Sequence, residues 1–158
     1  MTRPTPKITP FLWFNGNAEE AIRLYTSVFK DARVLSLLRT DGSGPDATGP
    51  VITGTFELHG QVFHALNGGP QFEFTEAISM VVTCETQQEI DELWSRLTAD
   101  GGKESRCGWL KDKFGLSWQI VPTRLPALLG HPDRAKATRV QQAMLGMNKM
   151  DIEALENA

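Results

Sequence analysis

Cysteine is scarce in this chain: two residues in 158, Cys84 and Cys107, far apart and in no CxxC pair. A disulfide framework and a zinc knuckle are therefore both unsupported, and the thiols are expected to be reduced. Basic runs are missing too. Lys and Arg total 16 against 19 Asp and Glu, giving a net charge of -3 with no cluster of positive residues, which argues against a nucleic-acid partner. No stretch approaches the roughly 18 apolar residues of a membrane span. The opening Met1-Thr-Arg-Pro-Thr-Pro-Lys7 lacks the apolar core of a signal peptide. A cytoplasmic protein without membrane contact is the expectation. No GxxxxGK[ST] or GxSxG occurs, so neither a phosphate-cradling P-loop nor a hydrolase nucleophile elbow is present. What remains has the length and composition of one ordinary globule with a substantial core.

Along the chain, residues 8–14 form an apolar, aromatic run suited to a buried strand, closed by Asn15-Gly16-Asn17. Asn17 is placed to cap a helix over 18–30, with Glu20 reaching back and Ala21, Ile22, Tyr25, Val28 and Phe29 on one face. Residues 34–40 read as a strand, and 41–50, dense in Gly, Pro and Asp, as an exposed loop. Strands over 51–58 and 61–66 flank the tight turn His59-Gly60, and Asn67-Gly-Gly-Pro70 stops the second. Strand then helix recurs at 77–84 and 87–99, where Ile90, Leu93, Trp94 and Leu97 form the stripe and Asp100-Gly101-Gly102 the stop. Short strands over 104–107, 108–112 and 116–121 follow, the last two joined by a turn at 112–115. Both halves thus run strand, helix, strand, strand, strand. Beyond Pro122 come a helical turn at 125–129, a helix capped by Asp133 with Val140, Ala143, Met144 and Met147 on one face, and a short helix near Ile152 and Leu155.

Three segments carry a resemblance: Asn15-Gly-Asn-Ala-Glu-Glu-Ala-Ile22 with Tyr25 and Phe29, Ala65-Leu-Asn-Gly-Gly-Pro70, and Cys107-Gly-Trp-Leu-Lys-Asp-Lys-Phe-Gly-Leu-Ser-Trp-Gln-Ile-Val-Pro122. From about residue 8 onward the chain resembles the PhnB-like group of the vicinal oxygen chelate superfamily, which includes glyoxalase I, extradiol dioxygenases and bleomycin-resistance proteins. The resemblance implies an α+β fold: paired βαβββ modules, here 8–70 and 71–122 of a single domain, plus a C-terminal helical extension at 123–158. It also implies a cleft between modules and a homodimer. Members of the group are also labelled 3-demethylubiquinone-9 3-methyltransferase-like. A methyltransferase of the usual α/β kind needs a glycine-rich turn between a parallel strand and a helix, and Asn67-Gly-Gly-Pro70 ends in proline with no helix after it, so the label receives little support.

Metalloenzymes of the superfamily hold a divalent ion with one ligand on the first and one on the last strand of each module. Carried onto this chain, the first position falls on Pro10, or Phe11 with a one-residue slip, and neither offers a donor. The second falls on His64, a competent ligand for Zn, Ni or Fe. Ser79 takes the third, as a weak neutral donor, and Gln119 the fourth, where Glu is usual. If an ion such as Zn, Ni, Mn or Fe is present, His64 and Gln119 hold it; the set is too thin to make metal the leading expectation. The alternatives for each residue stay open. His64 is a hydrogen-bonded structural histidine or a pocket base. Gln119, alternating with Trp118 and Ile120, satisfies a buried backbone group or lines a cavity. Two of Trp13, Trp109 and Trp118 are expected in the core. Cys107 beside Arg106 is read as inert. The leading reading is a small-molecule binding protein with His64, Ser79, Trp109 and Gln119 about its ligand and no cofactor. A metal-dependent lyase, isomerase or dioxygenase-like enzyme and a dimeric structural or interaction protein are the alternatives.

Overall fold

A computed structural model of the protein describes residues 6–158. The chain divides into two compact units, Met1–Glu73 and Phe74–Ala158.

In the first unit, β1 (Phe11–Phe14), α1 (Ala18–Val28), β2 (Ala32–Arg39), β3 (Val51–Leu58) and β4 (Gln61–Asn67) build one sheet in the order β1-β4-β3-β2. β1 runs parallel to β4, whereas β2, β3 and β4 are antiparallel neighbours. His59 and Gly60 both take positive φ, 47° and 84°, the geometry of a two-residue hairpin whose twist matches the strands. The helix covers one face. Its buried Ala18, Ala21, Ile22, Tyr25 and Val28 meet Leu12, Phe14, Phe56, Phe63 and Ala65, and Phe56 stacks on Phe63 with ring centroids 5.2 Å apart. Residues of the opposite parity, Phe11, Trp13, Thr53, Thr55, His64 and Leu66, lie on the face without a helix.

Two expectations are corrected in this unit. β1 is not buried throughout: Ile8 precedes it and is 87% exposed, and Phe11 is 59% exposed, because a helix on one side hides only alternate residues. Asn17 gives no side-chain cap. The amide of Ala18 donates instead to Oδ1 of Asn67 at 2.9 Å, while Nδ2 of Asn67 donates to the Val51 carbonyl at 3.0 Å. A side chain at the end of β4 thus serves an orphan helix amide that a local cap would otherwise take.

The exposed loop at 41–50 is organised from its base. Arg39 donates to Glu19 at 2.6 and 3.0 Å and to the Gly49 carbonyl at 3.0 Å, and Asp41 accepts the amides of Thr48 and Gly49. Hydrogen bonds from Arg39 and then Arg23 bring the Glu19 carboxyl down to about 2 from an ordinary 4.5. A depressed folded-state value contributes stability above the unfolded value that is lost as pH falls through the folded one. Arg39→Ala is therefore expected to lower stability modestly at pH 7, the pair being screened by solvent. The difference from wild type should narrow between pH 4.5 and about 2, leaving the part that comes from the Gly49 carbonyl, as read by urea titrations at stepped pH.

The second unit repeats the order. β5 (Ser79–Cys84), α2 (Gln87–Thr98), a 3₁₀ turn (Ala99–Gly101), β6 (Lys103–Glu104), β7 (Trp109–Lys111) and β8 (Ser117–Pro122) give a sheet ordered β5-β8-β7-β6, with β5 parallel to β8. Thr86 caps α2 through the Glu89 amide. Ile90, Leu93, Trp94 and Leu97 are buried, as the stripe predicts, with Leu110, Trp118 and Ile120 also in the core. The strands expected at 104–107 and 108–112 are shorter, since Cys107 has φ 57° and Gly108 φ 78°, left-handed values that break a strand.

The extension folds as α3 (Leu125–Leu129), α4 (Arg134–Leu145) and α5 (Ile152–Glu156). Asp133 caps α4 and Asp151 caps α5. The apolar face of α4 differs from expectation: Ala137 and Val140 are buried and Met150 beyond the helix is fully covered, while Ala143, Met144 and Met147 are only half-buried. Gln87 fastens this segment, its amide donating to the Met150 carbonyl and accepting the Ile152 amide, both at 2.9 Å.

Candidate functional site

The sheet of the second unit presents one face to α2 and the other outward. Register and alternation put Met80, Leu110, Trp118 and Ile120 on the helix side and Ser79, Val81, Trp109, Lys111, Ser117 and Gln119 on the other. Three of the four residues singled out from the sequence meet there. Gln119 stands opposite Trp109 on one side and Val81 on the other, and its Nε2 donates to Ser79 Oγ at 2.9 Å. Trp109 and Gln119 are half-buried; Val81 is 57% exposed. Gln119 serves a side chain, not a buried backbone group, and its carboxamide oxygen makes no hydrogen bond among the described residues.

His64 belongs to the first unit and has an analogous setting. It is half-buried, faces Phe11 across the parallel ladder and Thr55 across the antiparallel one, and shares a 3.0 Å hydrogen bond between Nδ1 and the Thr55 hydroxyl. Nε2 is left without a hydrogen bond among the described residues. The Phe11 ring lies 6.1 Å from the imidazole, and the Pro10 carbonyl accepts the His64 amide at 2.9 Å. Trp13, two residues on, meets Phe72 edge-on at 4.9 Å and donates to the Gly69 carbonyl.

His64 and Gln119 thus occupy the same rung of their modules, each between a parallel first strand and an antiparallel third one. Thr55 escaped the sequence reading, although the hairpin at His59-Gly60 fixes its register against His64 and was legible. Of the three tryptophans weighed there, only Trp118 is in the core, at 2% exposure; Trp13 and Trp109 are half-buried on outward faces. Trp118 is tied to Asp112, whose carboxylate also escaped notice. Asp112 is 2% exposed and accepts the amides of Phe114 and Leu116 and the Trp118 indole N–H, at 2.9, 3.1 and 2.9 Å. An aspartate three residues before a glycine in a turn is the signal that points to it.

Carboxylates near these faces are engaged by cations. Glu57, 8% exposed, pairs with Arg33 at 3.2 Å, and Glu76 with Lys111 at 2.6 Å. Among the described residues no three His, Cys, Asp or Glu side chains are grouped to hold a metal ion. Burial pushes the Cys84 thiol up to about 12, so it stays protonated near neutrality. Cys107 is half-buried in a left-handed turn, its amide donating to the Met147 carbonyl at 2.8 Å.

Residues 6–121 match the 3-demethylubiquinone-9 3-methyltransferase family. The chain belongs to that family. A PhnB protein from Bacillus cereus is 41% identical, with 75% of this chain and all of that one aligned at a TM-score of 0.67. A protein from Pseudomonas aeruginosa, 19% identical, shares the fold over 75% of this chain and 98% of its own, at a TM-score of 0.60. So does a fosfomycin resistance protein from Listeria monocytogenes, 13% identical, over 76% and 94% at 0.50. No curated protein matches this chain. The family is PhnB-like, and this chain's α+β architecture is two βαβββ modules followed by C-terminal helices. No helix among the described residues is long and apolar enough to cross a membrane.

Proposed function

We propose that this PhnB-like family member binds a small molecule against the helix-free face of a module and does so without the superfamily's full metal-ligand set. The observation that carries this is the matched pair of polar centres. Thr55–His64 pair across one rung of the first sheet and Ser79–Gln119 diagonally across adjacent strands of the second, each beside a half-buried or exposed aromatic ring, Phe11 or Trp109. An apolar wall with a few oriented polar groups is the usual make-up of a small-molecule site. His64 presents Nε2 on the first sheet and Gln119 its carbonyl oxygen on the second, so each face carries its own polar anchor for a ligand.

The donor chemistry supports the metal-free part of the reading. A divalent ion stripped of water needs several donors and usually anionic charge among them. Phe11 offers none at the rung of His64, Val81 none at that of Gln119, and Ser79 is a neutral hydroxyl already hydrogen-bonded to Gln119. Methyl transfer is not part of the proposal. Both sheets are mixed, and Asn67-Gly-Gly-Pro70 leads into a loop rather than a helix, so the turn that admits the usual methyl donor is missing.

Gln119→Ala is expected to weaken binding of neutral aromatic fragments by roughly tenfold, as expected when a hydrogen-bonding group that orients a ligand is lost. The melting temperature should stay nearly unchanged. Ligand-observed NMR with such fragments, run beside calorimetric melting, measures both. A large fall in melting temperature with unaltered fragment binding would assign Gln119 to packing.

A further inference from the structure

The outward face of the second sheet carries a feature that this reading leaves unused. The ladder sets Lys103 opposite Lys111, Lys111 opposite Ser117 and Ser117 opposite Ser79. Two ammonium groups and two hydroxyls therefore stand in one row across four strands, since registered neighbours share a face. A cavity of ≈ 190 Å³ opens along the row, bounded by Glu76, Lys103, Ser105, Trp109, Lys111 and Ser117 among others. Ser117 is 1% exposed, and its Oγ has no hydrogen-bond partner among the described residues. A hydroxyl withdrawn from water and left unpaired is costly, which calls for a partner the chain does not supply.

Two carboxylates, Glu76 and Glu104, and two ammonium groups, Lys103 and Lys111, line the cavity, but only one ion pair forms among them. Lys111 pairs with Glu76, whose side chain is 64% exposed, while Glu104 is committed to the Trp94 indole at 2.6 Å. Lys103 makes no ion pair among the described residues. Adjacent ammonium groups repel unless an anion lies between them.

We propose that this row is a subsite for a small oxyanion, a carboxylate or a phosphate-class group. The Ser117 hydroxyl donates to it, Lys103 and Lys111 supply the charge, and Trp109 forms its wall. Glu76 acts as an internal competitor that occupies Lys111 until the anion arrives. The inference rests on the reading of this face as ligand-bearing, and it adds that the ligand carries an anionic group one rung from Gln119.

Inorganic phosphate and acetate, titrated separately at constant ionic strength, test it through the backbone amide shifts of Ser105, Lys111 and Ser117. Saturable binding is expected for at least one of them. Ser117→Ala and Lys103→Gln should each weaken it, by roughly tenfold where a charge-assisted hydrogen bond is lost. Glu76→Gln should tighten it severalfold, a sign that competition for Lys111 produces and a structural role does not. Preference between the two anions identifies which headgroup the site takes. Failure of both to saturate, in wild type and in Glu76→Gln, overturns the subsite, as does binding indifferent to Ser117→Ala and Lys103→Gln. If neutral fragments bind near Gln119 but neither anion does, the subsite falls and the broader reading stands. If an anion binds as described but no fragment does, the reverse holds.

Discussion

Asp112→Ala is expected to lower the unfolding free energy by about 3–4 kcal/mol, since it strips one buried acceptor from three donors at once. The carboxylate closes the turn between β7 and β8 through the Phe114 and Leu116 amides and anchors the Trp118 indole beneath the sheet. With Ala the Leu116 amide and the Trp118 indole lose this acceptor where water barely reaches, Leu116 being 1% and Trp118 2% exposed, and the Phe114 amide loses it at the half-buried turn. Asp112→Asn separates two contributions. Its carbonyl oxygen can still accept the backbone amides, but its NH₂ then faces the indole N–H donor to donor, so an intermediate loss is expected. Urea unfolding followed by tryptophan fluorescence measures both variants. Equal stability of wild type and Asp112→Ala would show that the turn holds without its carboxylate.

Gly108→Ala should cost about 3 kcal/mol, for a left-handed backbone together with a main-chain clash. At φ 78° a Cβ would stand 2.7 Å from the Ile120 carbonyl oxygen and 3.2 Å from Cγ of Met150. The carbonyl cannot step aside freely, because it belongs to β8. The Gly108 amide also donates to the Asn148 carbonyl at 2.8 Å, beside the matching bond from Cys107 to Met147. The variant is thus expected to loosen the extension as well as the sheet. Faster amide exchange at Met150 and Ile152, out of proportion to the global loss, would display that coupling.

Much of the scaffold was legible because local signals and global fold agree. The stripe of Ile90, Leu93, Trp94 and Leu97, the turn at His59-Gly60 and the cap Asp133 each depend on neighbours within a few residues. What failed depended on distant ones. The amide of Ala18 is served by Asn67, far along the chain, so a residue at the usual capping place proved idle. Half-burial of Trp13 and Trp109 follows from which side of a sheet the helix covers, and alternation does not say which side that is. The same limit applies to the site. Gln119 was visible as a polar residue among apolar ones, and the helix-free side it shares with Trp109 and Ser79 came from the register. Ser117 and the lysines stayed hidden because a serine between Leu116 and Trp118 carries no mark of being unpartnered.

In each module the first strand is zipped to the last, in parallel. During synthesis the N-terminal strand must therefore wait, unmated, until β4 has left the ribosome, and closure of that long loop sets the pace of folding. Shortening or stiffening the 41–50 loop should accelerate that step while leaving the β3–β4 hairpin at His59-Gly60 untouched.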